Sequence, residues 1–115
     1  MLTRVLSKIR QLPKKLKRLF RFSYQKQKRG FSDKDTWNLD VTFARFIVPR
    51  LIRFKEMNHG FPADLTDDSW NSILDDMIYS FESITKEFDH NFVPDNDRIQ
   101  KGLDLFAKYY RGLWW

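Results

Sequence analysis

Apolar residues recur at steps of three and four along four stretches of this chain, and strict alternation of apolar and polar residues is never sustained. Steps of three and four place side chains on one stripe of an α-helix, whereas a half-buried strand needs a period of two. The pattern therefore predicts an all-α protein. Leu2, Val5, Leu6, Ile9, Leu12, Leu16, Leu19 and Phe20 form the first stripe, which Pro13 should end or kink near Leu12. Gln25 to Gly30 reads as a polar, basic linker.

The second stripe is Trp37, Val41, Ala44, Val48 and Leu51, widened by Phe43, Ile47 and Phe54. Ser32 is the expected N-cap, with Asp33 and Asp35 at the positive end of the helix dipole. Pro49 predicts a kink over Arg45 to Pro49, and Gly60 followed by Pro62 predicts a left-handed stop. The third stripe opens at the Thr66 cap and carries Trp70, Ile73, Leu74, Met77, Ile78, Phe81, Ile84 and Phe88. After a loop from His90 to Pro94, Asp95 caps a helix bearing Ile99, Leu103, Phe106, Tyr110, Leu113 and Trp114. Short joints between these three segments predict neighbouring, antiparallel helices. The expected architecture is a three-helix antiparallel bundle (residues 29–115) preceded by a basic amphipathic arm and linker (residues 1–28).

Charge divides the chain in the same place. Residues 1–32 contain eleven Lys and Arg and no acid, giving +11; the rest holds ten Lys and Arg against fifteen acids, giving −5. Such an arm selects a polyanion or an acidic surface as its partner. Lys and Arg can neutralise nucleic-acid phosphates, and nucleic acid alone or in a nucleoprotein assembly is the leading expectation. Arg4, Lys8, Lys14, Lys15, Lys17, Arg18, Arg21, Lys26, Lys28 and Arg29 are the candidate contacts. A protein-interaction module that inhibits or recruits a host factor, self-association and an anionic membrane surface are the alternatives, with a metal-dependent hydrolase using Asp40, Asp76 and their neighbours a more distant one. The arm could also pack its apolar stripe on the body and show solvent a charged face. Phe20, Phe22, Tyr24 and Phe31 lie among the cations, where they could stack on bases or fix the arm to the core.

The remaining constellations are weaker. With no Cys, disulfides and thiol chemistry are excluded. There is no nucleophile motif and no Gly-rich phosphate loop, so no enzyme activity, cofactor or small-molecule substrate is expected. His59 and His90 lack metal-ligand spacing and read as loop residues. Asp67, Asp68, Asp75, Asp76 and Glu82 are only thinly similar to the paired acids of all-α nucleotide pyrophosphatases. Asp40 and Asp76 border apolar stripes and need a cation, for which Arg45, Arg50 and Arg53 are the candidates. Gly102 and Gly112 either weaken the last helix or let another helix approach closely. The aromatic end should dock on the bundle, or else serve as a partner interface through Tyr110, Trp114 and Trp115. No apolar run reaches membrane-spanning length, and charges interrupt the N-terminal stripe too often for a secretory signal. An organelle presequence is disfavoured by the even mix of Lys and Arg and by sparse Ser.

The stretch Arg29-Gly30-Phe31-Ser32-Asp33-x-Asp35-x-Trp37-x-Leu39-Asp40 resembles the opening of small helical proteins encoded in bacteriophage genomes. The Asn58–Pro62 turn, the Trp70–Ile78 segment and the Gly102–Tyr109 helix extend the resemblance over residues 29–115. It implies a phage origin and a cytoplasmic, host-cell setting. It carries no activity and no functional residue.

Overall fold

A computed structural model of the chain describes residues 10–57 and 60–114. The protein is all-helical, and the described residues contain no strand and four helices of known bounds: α1 (Lys14–Arg29), α2 (Leu39–Met57), α3 (Asp67–Thr85) and α4 (Asn96–Tyr109). Short 3-10 helices cover Asp33–Thr36 and Tyr110–Gly112. The chain divides into two compact units, Met1–Leu39 and Asp40–Trp115. No helix among the described residues is long and apolar enough to cross a membrane.

In the first unit Pro13 does break the helical path: Arg10 is helical, Gln11 and Leu12 turn, and α1 begins directly after the proline. The expected linker from Gln25 to Gly30 is instead the last turn and a half of α1. Gln, Lys and Arg are good helix formers, and cations in a final turn suit the negative end of the dipole. Lack of apolar residues there marks a solvent-facing helix, not a linker. Gly30, at φ 85°, closes α1 in the left-handed conformation and donates its N–H to the Lys26 carbonyl. That conformation was expected at Gly60, but among the described glycines only Gly30 adopts it.

Ser32 caps the 3-10 turn rather than a long helix. Its N–H donates to the Asp35 carboxylate at 2.9 Å. Trp37 therefore falls outside α2 and packs edge-on against Phe22 of α1, with ring centroids 5.4 Å apart.

The second unit has a core of Ala44 and Leu51 from α2 and Trp70, Leu74, Met77 and Phe81 from α3. Leu103, Phe106 and Tyr109 of α4 pack against it. Pro49 lies inside α2, where it removes one N–H; in the same turn the Arg50 guanidinium donates to the Phe46 carbonyl at 2.7 Å. Thr66 caps α3 reciprocally: its hydroxyl accepts from Ser69 N–H, and its own N–H donates to Ser69 Oγ. Asp95 caps α4 by accepting from Arg98 N–H at 3.1 Å.

Helix directions follow from the contacts. Phe43 meets Phe81 while Lys55 meets Asp75, so α2 and α3 are antiparallel. Trp70 meets Tyr109 while Ser80 meets Ile99, so α3 and α4 are antiparallel too. Edge-to-face contacts join Phe43, Phe81 and Phe106 across the three helices.

Helices α3 and α4 approach closely at Ser80 and Gly102, both buried. The Ser80 hydroxyl donates to the Ile99 carbonyl at 2.8 Å, with the Asp76 carbonyl 3.1 Å away as a second acceptor. A Cβ on Gly102 would collide with Ser80 Oγ and the Asp76 carbonyl oxygen. Close approach, one of the two roles expected of Gly102, is the one it fills.

Chain ends and loops depart from expectation. Helix α3 stops at Thr85, so Phe88 lies in an exposed loop. Helix α4 stops at Tyr109, leaving Tyr110 in the 3-10 turn and Leu113 and Trp114 beyond it. Leu113 packs on the core, whereas Trp114 is 76% exposed and does not dock. Gly112 and the 3-10 geometry swing the chain off the helical stripe before Trp114 is reached.

Candidate anion-binding surface

The first unit is built around α1. At 100° per residue, Lys14, Lys17, Arg18, Arg21 and Lys28 fall within an arc of about 100°. All five are exposed, and the first four line a groove of about 230 Å³. The opposite side carries Leu16, Leu19 and Phe20, with Lys15 and Lys26 along one border of that stripe.

Electrostatics at the start of α1 run against ordinary helix design. Pro13, at the N-cap, supplies no side-chain acceptor, and the first turn contains no acid. Lys14, Lys15 and Lys17 instead stand where the free backbone N–H groups already make the potential positive. An anion placed there relieves both the unpaired donors and the crowding of cations.

The edge of the cationic arc, at Gln25 and Arg29, is occupied by the chain returning after Gly30. Gln25 grips Asp33 twice: its amide nitrogen donates to the carboxylate at 2.7 Å, and its amide oxygen accepts from Asp33 N–H at 2.7 Å. Arg29 completes the clasp with a 2.6 Å ion pair to Asp33 and a 3.1 Å bond to the Phe31 carbonyl. Gln25 first, then Arg29, holds the Asp33 carboxyl below the usual carboxylate range. The Ser32 N–H does the same for Asp35. Arg18 lies over Trp37 at 5.8 Å and Arg29 over Phe31 at 4.4 Å.

The ten expected contact residues thus separate. Lys14, Lys17, Arg18, Arg21 and Lys28 share one stripe, Lys15 and Lys26 flank the apolar face, and Arg29 is engaged by Asp33. Arg4 and Lys8 lie outside the described residues, as do His59 and Trp115. Arg10 was not among the ten, yet it is exposed. Gln25 and Trp37 were missed as the parts that fix the return segment. The signal available was Gln25 and Arg29 one turn apart, then a glycine and the first acid in the chain.

Two acids of α3, Asp75 and Asp76, are taken up by cations of the second unit. Asp75 receives Lys55 at 2.6 Å. Asp76, with 17% of its side chain exposed, faces Arg98 at 3.8 Å and Lys101 at 3.5 Å. Arg45, Arg50 and Arg53 were the expected partners, but α4 supplies the cations because α3 and α4 approach so closely at Ser80. Arg50 instead lies 3.7 Å over the Phe46 ring, and Arg53 pairs with Glu56. Asp40 finds a carboxyl partner: it hydrogen-bonds Glu87 and raises the pKa of that group. Among the described residues, no three His, Asp or Glu side chains are grouped so as to hold a metal ion.

Of the expected interface aromatics, Tyr110 packs on Phe106 at 5.5 Å yet stays exposed, as does Trp114. No family model, curated protein or solved structure matches the chain.

Proposed function

We propose that this is a non-enzymatic binding protein, a three-helix bundle with a basic arm, that attaches to phosphate-bearing polyanions through α1. The observation that carries this is the cationic stripe Lys14, Lys17, Arg18, Arg21 and Lys28 beginning at an acid-free, uncapped helix start. Four cations around one groove create a concentrated positive potential, and two of them, Arg18 and Arg21, also lie over the Trp37 and Phe22 rings. Nucleic acid presents phosphates at the density such a stripe can meet, and so does an anionic lipid headgroup surface. The phage-type setting implied by residues 29–115 would make it an accessory protein acting in a host cell.

The test is titration of the full chain with a labelled DNA duplex at several salt concentrations. Log affinity should fall linearly with log salt. Replacing Lys14, Lys17 and Arg21 together by Gln should reduce that slope by about 3. A slope unchanged by the triple variant would sink the assignment.

A second reading rests on a different observation. Phe43, Phe46, Phe106 and Tyr110 form a connected, partly exposed aromatic patch on the second unit. Aromatic clusters of this kind serve protein partners or a second copy of the chain. Sedimentation of the full chain across a concentration series tests self-association, and a strictly monomeric profile removes that form of it.

A further inference from the structure

We propose that the polyanion met by α1 is an anionic lipid surface, with the helix lying in the interface and Leu16, Leu19 and Phe20 entering the acyl boundary. This rests on the phosphate-binding assignment above and names its partner. Cations alone account for binding to any phosphate polymer; the apolar stripe opposite them is left over by that account. Leu16, Leu19 and Phe20 are 41%, 50% and 52% exposed. Phosphates of a duplex offer such a stripe nothing. A bilayer interface offers hydrocarbon below and anionic headgroups around it.

Three features of α1 fit that occupant. Its 16 residues combine a strongly polar composition with sharp segregation of apolar and charged faces, the property that keeps a helix at an interface rather than across it. Lys15 and Lys26 border the apolar stripe, where their long stems can lie along hydrocarbon while the ammonium groups reach headgroups. Tyr24 stands at the other border, between Phe20 and Lys28, with its hydroxyl accepting from Lys28 at 3.2 Å. A ring with an apolar body and a polar tip suits the level of the headgroups. Charge complementarity is complete along the helix, since α1 contains no acid.

The experiment uses the full chain with vesicles of phosphatidylcholine alone and of phosphatidylcholine mixed equally with phosphatidylglycerol, alongside the DNA duplex. The expected result is sedimentation with the anionic vesicles and not with the neutral ones. Replacing Leu16, Leu19 and Phe20 together by Gln should weaken vesicle binding at least about tenfold while changing duplex affinity by less than about twofold. All three side chains are exposed, and the helical circular-dichroism signal of the variant controls for folding. Duplex binding without vesicle binding overturns the lipid assignment and leaves phosphate binding standing. Failure to bind either probe overturns both. Vesicle binding indifferent to the apolar substitutions overturns the interfacial geometry.

Discussion

Replacing Gly102 by Ala asks whether α3 and α4 are as close as their contact implies. In an exposed helix interior the change would stabilise, because Ala is about 1 kcal/mol better than Gly there. Here the new methyl would lie 2.8 Å from Ser80 Cβ and closer still to Ser80 Oγ and the Asp76 carbonyl oxygen. The hydroxyl can rotate away; the backbone carbonyl cannot. Overpacking a tight site costs about 1–3 kcal/mol or more, and separating the helices also strains the Ser80–Ile99 hydrogen bond, worth about 1 kcal/mol. Destabilisation wins, with a net loss of about 1–3 kcal/mol. For a unit of this size each kcal/mol lowers the melting temperature by about 4–8 °C. Thermal melts followed by circular dichroism in the helix band read the change directly.

Two controls keep that result specific. Gly112→Ala, whose methyl would sit 3.8 Å from Pro62 Cγ, should shift stability by less than about 0.5 kcal/mol. Combining Ser80→Ala with Gly102→Ala removes the nearest obstructing atom, so the pair should cost less than the sum of the singles. If Gly102→Ala melts at or above the wild-type temperature, the close helix approach is refuted.

Thr66→Ala removes the acceptor for Ser69 N–H and should lower stability by about 1 kcal/mol, seen as a lower urea midpoint at unchanged slope; an unchanged midpoint would discount the cap. Glu87→Gln tests the carboxyl pair with Asp40. Glu87 has a raised folded pKa, so its favourable contribution is present below the unfolded value and lost as pH rises through the folded one. The variant should therefore melt higher than wild type at neutral pH, with the gap closing on acidification; a gap that widens toward acid contradicts the pairing.

Much of the second unit was legible from periodicity because its core is amphipathic in the simplest way. Trp70, Leu74, Met77 and Phe81 are both the predicted stripe and the buried residues. Thr66 and Asp95 were readable as caps because short acceptors in front of an apolar run have few other uses. Ser80 was not readable. A serine inside an apolar stripe gives no sign of whether it faces solvent or a neighbouring backbone, and only the position of Gly102 on another helix decides it. Trp37 was misassigned for a related reason. It falls in phase with the α2 stripe, but the Asp33 clasp and the 3-10 turn hold the chain out of the helix until Leu39. In the candidate site, composition disclosed the cations but not their division into a stripe, a flank and a clasp. That division depends on α1 continuing through Gln25 to Arg29, a stretch whose lack of apolar residues hid its helicity.

The uncapped, lysine-crowded start of α1 makes helix and anion reciprocal effectors. Any anion that settles at that first turn stabilises the helical conformation, and by linkage a change that favours the helix while leaving its first N–H groups free tightens the anion. An acceptor side chain in place of Pro13 would compete for those same N–H groups and so alter affinity without touching a single charge. Such a change would relieve the helix start in the free state as well, so affinity would fall: part of the attraction of this surface lies in an unmet need of its own backbone.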